Sequence, residues 1–288
     1  MNIDNCEPTG LASIMISNHQ ITSGQAKLAA TVVGHGAPIV FLHAAVCDSR
    51  MWLAQLDALG ASNKAIAYDR RGFGETRAEK EDFSAVADLL AVIDAVGNGA
   101  PTILVGCSQG RRIALDTALL HPSYVRALVL IAPAVSGAPE PIYPPEIEGL
   151  MAKLKDAEQA RDLDRVNAIK AHLWLDGPLQ PEERVTGEAR RLFLDMNAIA
   201  LRSAPAGSNL DVVPTFHRLR AISAPSLVIW GDLDFPHIQE RSRQIATALL
   251  KAAGHMLTGT AHLPSLERPT EITGLVAEFI ERCSDRRA

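Results

Sequence analysis

The stretch PTILVGCSQGRRIALDTALLHP, residues 101–122, changes its periodicity halfway along. Up to Cys107 it is almost wholly apolar, the pattern of a strand covered on both faces. From Gln109 onward its apolar residues recur at helical spacing. The junction is Gly106-Cys107-Ser108-Gln109-Gly110, a G-x-S-x-G pentapeptide. A serine held on a sharp strand-to-helix turn stands above the end of the sheet, at the positive end of the following helix. The pentapeptide alone would arise by chance in about one chain in ten of this length. Its strand and helix flanks are what make Ser108 a candidate nucleophile.

Working outward, the same alternation extends in both directions. KLAATVV (27–33), PIVFLH (38–43) and KAIAYD (64–69) read as strands, and SRMWLAQLDALG and DFSAVADLLAVIDAVG read as helices. After YVRALVLIAP, a further strand, the alternation stops. Residues 136–214 carry a Pro-rich entry, GAPEPIYPPE, and then the amphipathic stretches IEGLMAKLKDAEQARDLDRVNAIKAHLWL and PEERVTGEARRLFLDMNAIA. The alternation resumes with APSLVIWGD, a helix from His237 to Leu250, a strand over 252–257 and a last helix, PTEITGLVAEFIERC. This pattern predicts an α/β core, with a mainly parallel sheet and helices on both faces. The core spans residues 1–135 and 215–288, and 136–214 form an inserted helical cap.

Composition narrows the function. With a net charge of −5 and no Lys or Arg run longer than two, the chain lacks a basic face for nucleic acid. The N-terminus, MNIDNCEPTG, is polar and acidic, unlike a secretory signal. No segment approaches the ~20 apolar residues needed to cross a bilayer, so a cytoplasmic protein without a membrane partner is expected. Cys6, Cys47, Cys107 and Cys283 are widely separated and form no CxxC pair, which predicts reduced thiols and no metal site. Cys107, beside the nucleophile, reads as a small buried filler.

A serine hydroxyl needs a base, usually histidine oriented by a carboxylate. Downstream, Asp232 and Asp234 follow the strand SLVIW, and His262 lies between the last strand and the last helix. The order Ser, Asp, His is the one this strand-turn-helix setting uses. His237 and His255 are weaker candidates for the base, because one begins a helix and the other sits inside a strand. The backbone N–H of Gln109, next after the nucleophile, is one expected oxyanion donor.

Five segments, FLHAAVCDSRMW, YDRRGFGET, VGCSQG, WGDLDFPH and GTAHLPSLERP, together resemble the α/β-hydrolases in order. The resemblance is closest to capped small-molecule hydrolases, a group with esterases, lactonases and carbon-carbon bond hydrolases. It implies an eight-stranded type of sheet, Ser108 as nucleophile, His262 as general base and then acid, and Asp234 as orienting carboxylate. Asp234 is preferred over Asp232 because it stands three residues after Gly231, where the family places its acid. The second oxyanion donor would be the N–H of Ala45, taking His43 and Trp52 as anchors. Relatives carry glycine where this chain has Ala44, and alanine resists positive φ, which leaves the choice between Ala44 and Ala45 open.

The expected activity is hydrolysis of a small ester or related carbonyl compound through an acyl-enzyme, without metal or organic cofactor. The substrate would have an apolar part met by residues such as Leu173, Trp174, Phe193 and Met196. A slow-turnover ligand receptor, a cofactor-free haloperoxidase, a carbon-carbon hydrolase and an acyltransferase would use the same three residues. Haloalkane dehalogenases and epoxide hydrolases would want Asp in place of Ser108. Asp69 and Arg71 are expected to brace the YDRRGFGET loop. Arg111 is expected to be solvated or paired with a carboxylate at the sheet edge. The sequence carries no signal for oligomeric state.

Overall fold

The computed structural model describes residues 15–133 and 135–285; Cys6 and the polar N-terminal stretch lie outside the described residues. The apolar strands come together in one sheet: β1 (Ile16–Ser23), β2 (Ala26–Val33), β3 (Pro38–Leu42), β4 (Lys64–Tyr68), β5 (Arg77–Ala78), β6 (Thr102–Cys107), β7 (Val125–Ile131), β8 (Ser226–Gly231) and β9 (Ala252–Leu257). Their order is β1-β2-β4-β3-β6-β7-β8-β9, and β5 pairs with β2. From β4 to β9 every pairing is parallel, while β1, β2 and β4 pair antiparallel. Every residue of β3, β6 and β8 is buried, as strands covered by helices on both faces must be.

Helices α1 (Leu53–Gly60) and α9 (Pro269–Asp285) cover one face, and α2 (Ala85–Val96), α3 (Gln109–Leu120) and α7 (Pro236–Ala248) the other. A short α8 (Pro264–Glu267) precedes α9. Between β7 and β8 lie α4 (Pro145–Gln159), α5 (Leu163–Ala171), a π-helical turn (His172–Asp176) and α6 (Gly187–Arg202). Their apolar faces join the same cluster as α1 and α9.

Two strands escape the periodicity. In ISNHQITS only Ile21 is buried, because β1 is an edge strand and needs little apolar surface; β5 is two residues long. The helical stretches between β7 and β8 are also shorter than the sequence suggests. The first breaks at Arg161, whose φ is +55°. In the second, PEERV is not helical: the Asp176 carboxylate accepts the N–H groups of Glu183 and Val185, and α6 starts only at Gly187. A side chain that satisfies backbone donors competes with helix formation there. Among the described residues no helix is long and apolar enough to cross a membrane.

The chain runs from β3 to β4 on one side and then to β6 on the other side of β3. Strand order therefore reverses between β3 and β6, and in open parallel sheets the crevice beyond the carboxyl ends of such strands is where ligands bind. The loops after β3, β4, β6, β8 and β9 all leave from this edge.

Candidate active site

Ser108 links β6 to α3 with φ +51° and ψ −113°. Non-glycine residues avoid this region at a cost of about 1–3 kcal/mol, so the surroundings must enforce it. They do so by close packing. A Cβ at Gly106 would lie 2.5 Å from Arg111 Cα, and one at Gly110 would lie 2.2 Å from the Leu42 carbonyl oxygen. The two glycines thus let α3 press on β6 and β3. The Ser108 N–H donates to the Ile131 carbonyl at 2.9 Å, and Arg112 N–H donates back to the Ser108 carbonyl at 3.3 Å.

Asp234 and His262 meet across the ends of β8 and β9. His262 Nδ1 lies 2.8 Å from Asp234 Oδ2, and both side chains are almost completely buried. Asp234 Oδ1 accepts the N–H of Phe235 at 2.7 Å. Leu233 N–H donates to the Thr260 carbonyl at 2.9 Å, which ties the two loops together. Cys107 Sγ lies 3.6 Å from the His262 carbonyl oxygen, so the histidine loop rests against the residue preceding Ser108. Cys107 is fully buried, and burial pushes its thiol well up, to a form that is a poor nucleophile at neutral pH. Asp232 does something else: its Oδ1 accepts Gly259 N–H at 2.7 Å and so braces the β9 loop.

The loop after β3 has Ala44 buried and Ala45 exposed. Neither appears among the described non-glycine residues with positive φ, so alanine at 44 carries no such strain. Ala44 N–H faces Met51 Sδ at 3.4 Å, whereas its carbonyl accepts the N–H of Cys47 at 3.2 Å. His43 is buried, and burial holds its imidazole well below the usual range. Its Nδ1 lies 2.8 Å from the Ala44 carbonyl and its Nε2 accepts the Arg70 N–H at 3.1 Å, which defines a neutral ring protonated at Nδ1.

Asp69 and Arg71 brace the loop after β4, as expected. Asp69 accepts N–H groups of Ser49 and Glu75, each at 2.8 Å, and Arg71 pairs with Asp88 and Glu81. Arg70, between them, was not singled out by sequence, yet it faces the loop of His43 and Ala44. Arg111 departs from expectation. It is fully buried rather than solvated, and its three guanidinium nitrogens have no hydrogen-bond partner. Asp116 on the same helix accepts instead from Thr215 and Ser136. Burial accordingly pushes the Arg111 guanidinium far below its usual value.

Of the four apolar residues considered for substrate contact, Leu173, Phe193 and Met196 are buried in the core cluster. Trp174 is half-buried, with its ring 5.0 Å from His262 and 4.5 Å from Phe235. Tyr143 and His237 extend this aromatic group, each within 6.1 Å of Phe235.

The sequence profile of the alpha/beta hydrolase family matches residues 39–274. The chain belongs to that family of enzymes. It is 30% identical, over 230 residues, to the dihydrolipoyllysine-residue acetyltransferase component of an acetoin cleaving system from Pseudomonas putida; the match takes in 77% of this chain and 59% of that protein, so this chain spans less than two thirds of that relative's length. Among solved structures, an esterase from Thermogutta terrifontis superposes with a TM-score of 0.73 at 20% identity, covering 93% of this chain and 99% of that one. The esterase RhEst1 from Rhodococcus sp. ECU1013 gives a TM-score of 0.71 at 26% identity, covering 92% and 98%.

Proposed function

We propose that this protein is a serine hydrolase that cleaves a small ester or related carbonyl compound through Ser108, His262 and Asp234. The observation that carries the proposal is the buried 2.8 Å contact of His262 Nδ1 with Asp234 Oδ2, at the sheet edge from which Ser108 projects. An imidazole that donates from Nδ1 to a carboxylate keeps Nε2 as a lone-pair acceptor, the state a general base needs. In the proposed reaction His262 takes the Ser108 proton as Oγ attacks the carbonyl carbon. The N–H groups of Gln109 and Ala45 receive the oxyanion. His262 then protonates the leaving group, and the same imidazole activates water to hydrolyse the acyl-enzyme. No step calls on a metal or an organic cofactor.

Residues 136–214 are proposed as a cap over the core formed by 1–135 and 215–288. Support comes from Trp174 beside His262, from Met196 Sδ facing the N–H of Asp48, and from the Arg50 to Asp195 ion pair. The aromatic group of Trp174, Phe235 and Tyr143 favours a substrate with an apolar, flat part. Buried free thiols at Cys47 and Cys107 suit a reducing compartment such as the cytoplasm. The name of the Pseudomonas putida relative keeps transfer of the acyl group to an acceptor other than water as a second reading.

Labelling with a fluorophosphonate, peptide mapping and a panel of aryl and alkyl esters and lactones test the proposal. The label is expected on Ser108, and Ser108→Ala is expected to lose turnover by at least about a thousandfold. A label elsewhere, or undiminished turnover by Ser108→Ala, overturns it. Labelling without turnover of any ester would favour a ligand receptor.

A further inference from the structure

Arg70 is almost completely buried, and among the described residues no carboxylate hydrogen-bonds to its guanidinium. Its hydrogen bonds go elsewhere. Nη1 donates to Gln109 Oε1 at 2.6 Å, and Nη2 donates to the carbonyls of His43 and Ala44, each at 3.1 Å. Phe73 lies across its face, 4.7 Å from the guanidinium carbon to the ring centre. One cation therefore touches Gln109 and the carbonyl of the Ala44–Ala45 peptide, whose N–H is the other donor proposed for the oxyanion.

The Ala44 contact has a directional consequence. A trans peptide points its C=O and N–H in opposite directions. The Ala44 carbonyl is held inward by Arg70, by His43 Nδ1–H and by Cys47 N–H, so the N–H of the same peptide, that of Ala45, is directed away from Arg70 toward the exposed side of the loop. A carbonyl that accepts a charge-assisted hydrogen bond also polarises its peptide and strengthens the N–H as a donor. Gln109 is anchored by its side chain, which leaves its N–H free of that constraint. A buried cation without a counter-ion is costly on its own. It becomes favourable next to a site where negative charge develops during reaction.

We infer that Arg70 is the positioning residue of the oxyanion site, aiming the Ala45 N–H, holding Gln109 and placing an unpaired positive charge behind both. The inference rests on the hydrolase reading above.

The test uses the full chain, a p-nitrophenyl ester and the rate of phosphonylation of Ser108 by a fluorophosphonate. Losing an oxyanion donor costs about 100- to 1,000-fold in kcat; here the donors remain but are less well aimed. Arg70→Met is therefore expected to lower kcat about 10- to 100-fold with KM changed less than about threefold, and phosphonylation should slow in parallel. Arg70→Lys should recover part of both. Gln109→Leu, which cuts one contact and spares the loop, should lower kcat about three- to tenfold. It keeps the inference testable if Arg70→Met does not fold. A folded Arg70→Met or Gln109→Leu with undiminished kcat and undiminished labelling overturns the role of Arg70 and leaves Ser108 as nucleophile. Absence of label on Ser108 in the unmodified protein overturns the hydrolase reading and the role of Arg70 with it.

Discussion

Arg184 Nη2 lies 2.5 Å from Glu267 Oε2, and the other oxygen of that carboxylate accepts the N–H of Ala261, the neighbour of His262. The same arginine donates to the carbonyls of Leu175, Asp176 and Gly259. It joins the segment between β7 and β8 to the loop that carries His262. Glu267 is nearly buried, so removing its cation leaves an uncompensated charge. Arg184→Met is expected to cost about 3 kcal/mol in urea unfolding. In a double-mutant cycle with Glu267→Gln the coupling should exceed about 1 kcal/mol, whereas additivity within about 0.5 kcal/mol would make the pair incidental.

The two aspartates after β8 should separate cleanly. Asp234 contacts His262 and Asp232 contacts the Gly259 N–H. Asp234→Asn is expected to lower kcat about 10,000-fold with little change in KM, because the amide favours the wrong imidazole tautomer. Asp232→Asn should lose less than about tenfold and show its effect in the melting temperature. Equal losses in kcat would contradict this division.

Arg111 should be replaceable at a gain. A fully buried guanidinium with no hydrogen-bond partner costs more than it returns, and an apolar side chain of similar volume removes that cost. Arg111→Met is expected to stabilise the fold by about 1–3 kcal/mol, read from the urea midpoint at unchanged m-value. A loss of stability would mean that the arginine has a partner in solution.

His237 should contribute to acid sensitivity. Its Nδ1 is buried without a partner and its ring packs on Tyr143 and Phe235. Burial first, and the nearby Arg241 charge second, push it down to about 4. Because the unfolded imidazole titrates near 6.5, the stability is present above that pH and lost as pH falls toward 4. Replacing it by phenylalanine should shrink the loss of stability between pH 7 and pH 5 by about 1 kcal/mol, allowing for partial solvent screening. An unchanged pH profile for His237→Phe would show that the ring stays solvated.

Local pattern sufficed wherever one residue's role depends on its immediate neighbours. The elbow at Ser108 was legible because a strand, two glycines and a helix adjoin it in sequence. The parallel core was legible because buried strands are continuously apolar. The edge strand Ile16–Ser23 was not, since a strand exposed on most of its length has no apolar signature.

What the sequence by itself determined is the α/β core, the elbow and the order in the chain of the candidates Ser108, Asp234 and His262. Tertiary structure alone decided that Asp232 braces Gly259 while Asp234, the aspartate the family resemblance preferred, contacts His262, which of two neighbouring arginines faces Ala44 and Gln109, and that Arg111 is buried without a partner. Consecutive residues share a local pattern but leave a turn in different directions. The groups they then meet lie tens of residues away, as Arg184 and Glu267 do. Hydrophobic periodicity reports which side of an element is buried; it carries no information about which distant polar atom closes each hydrogen bond.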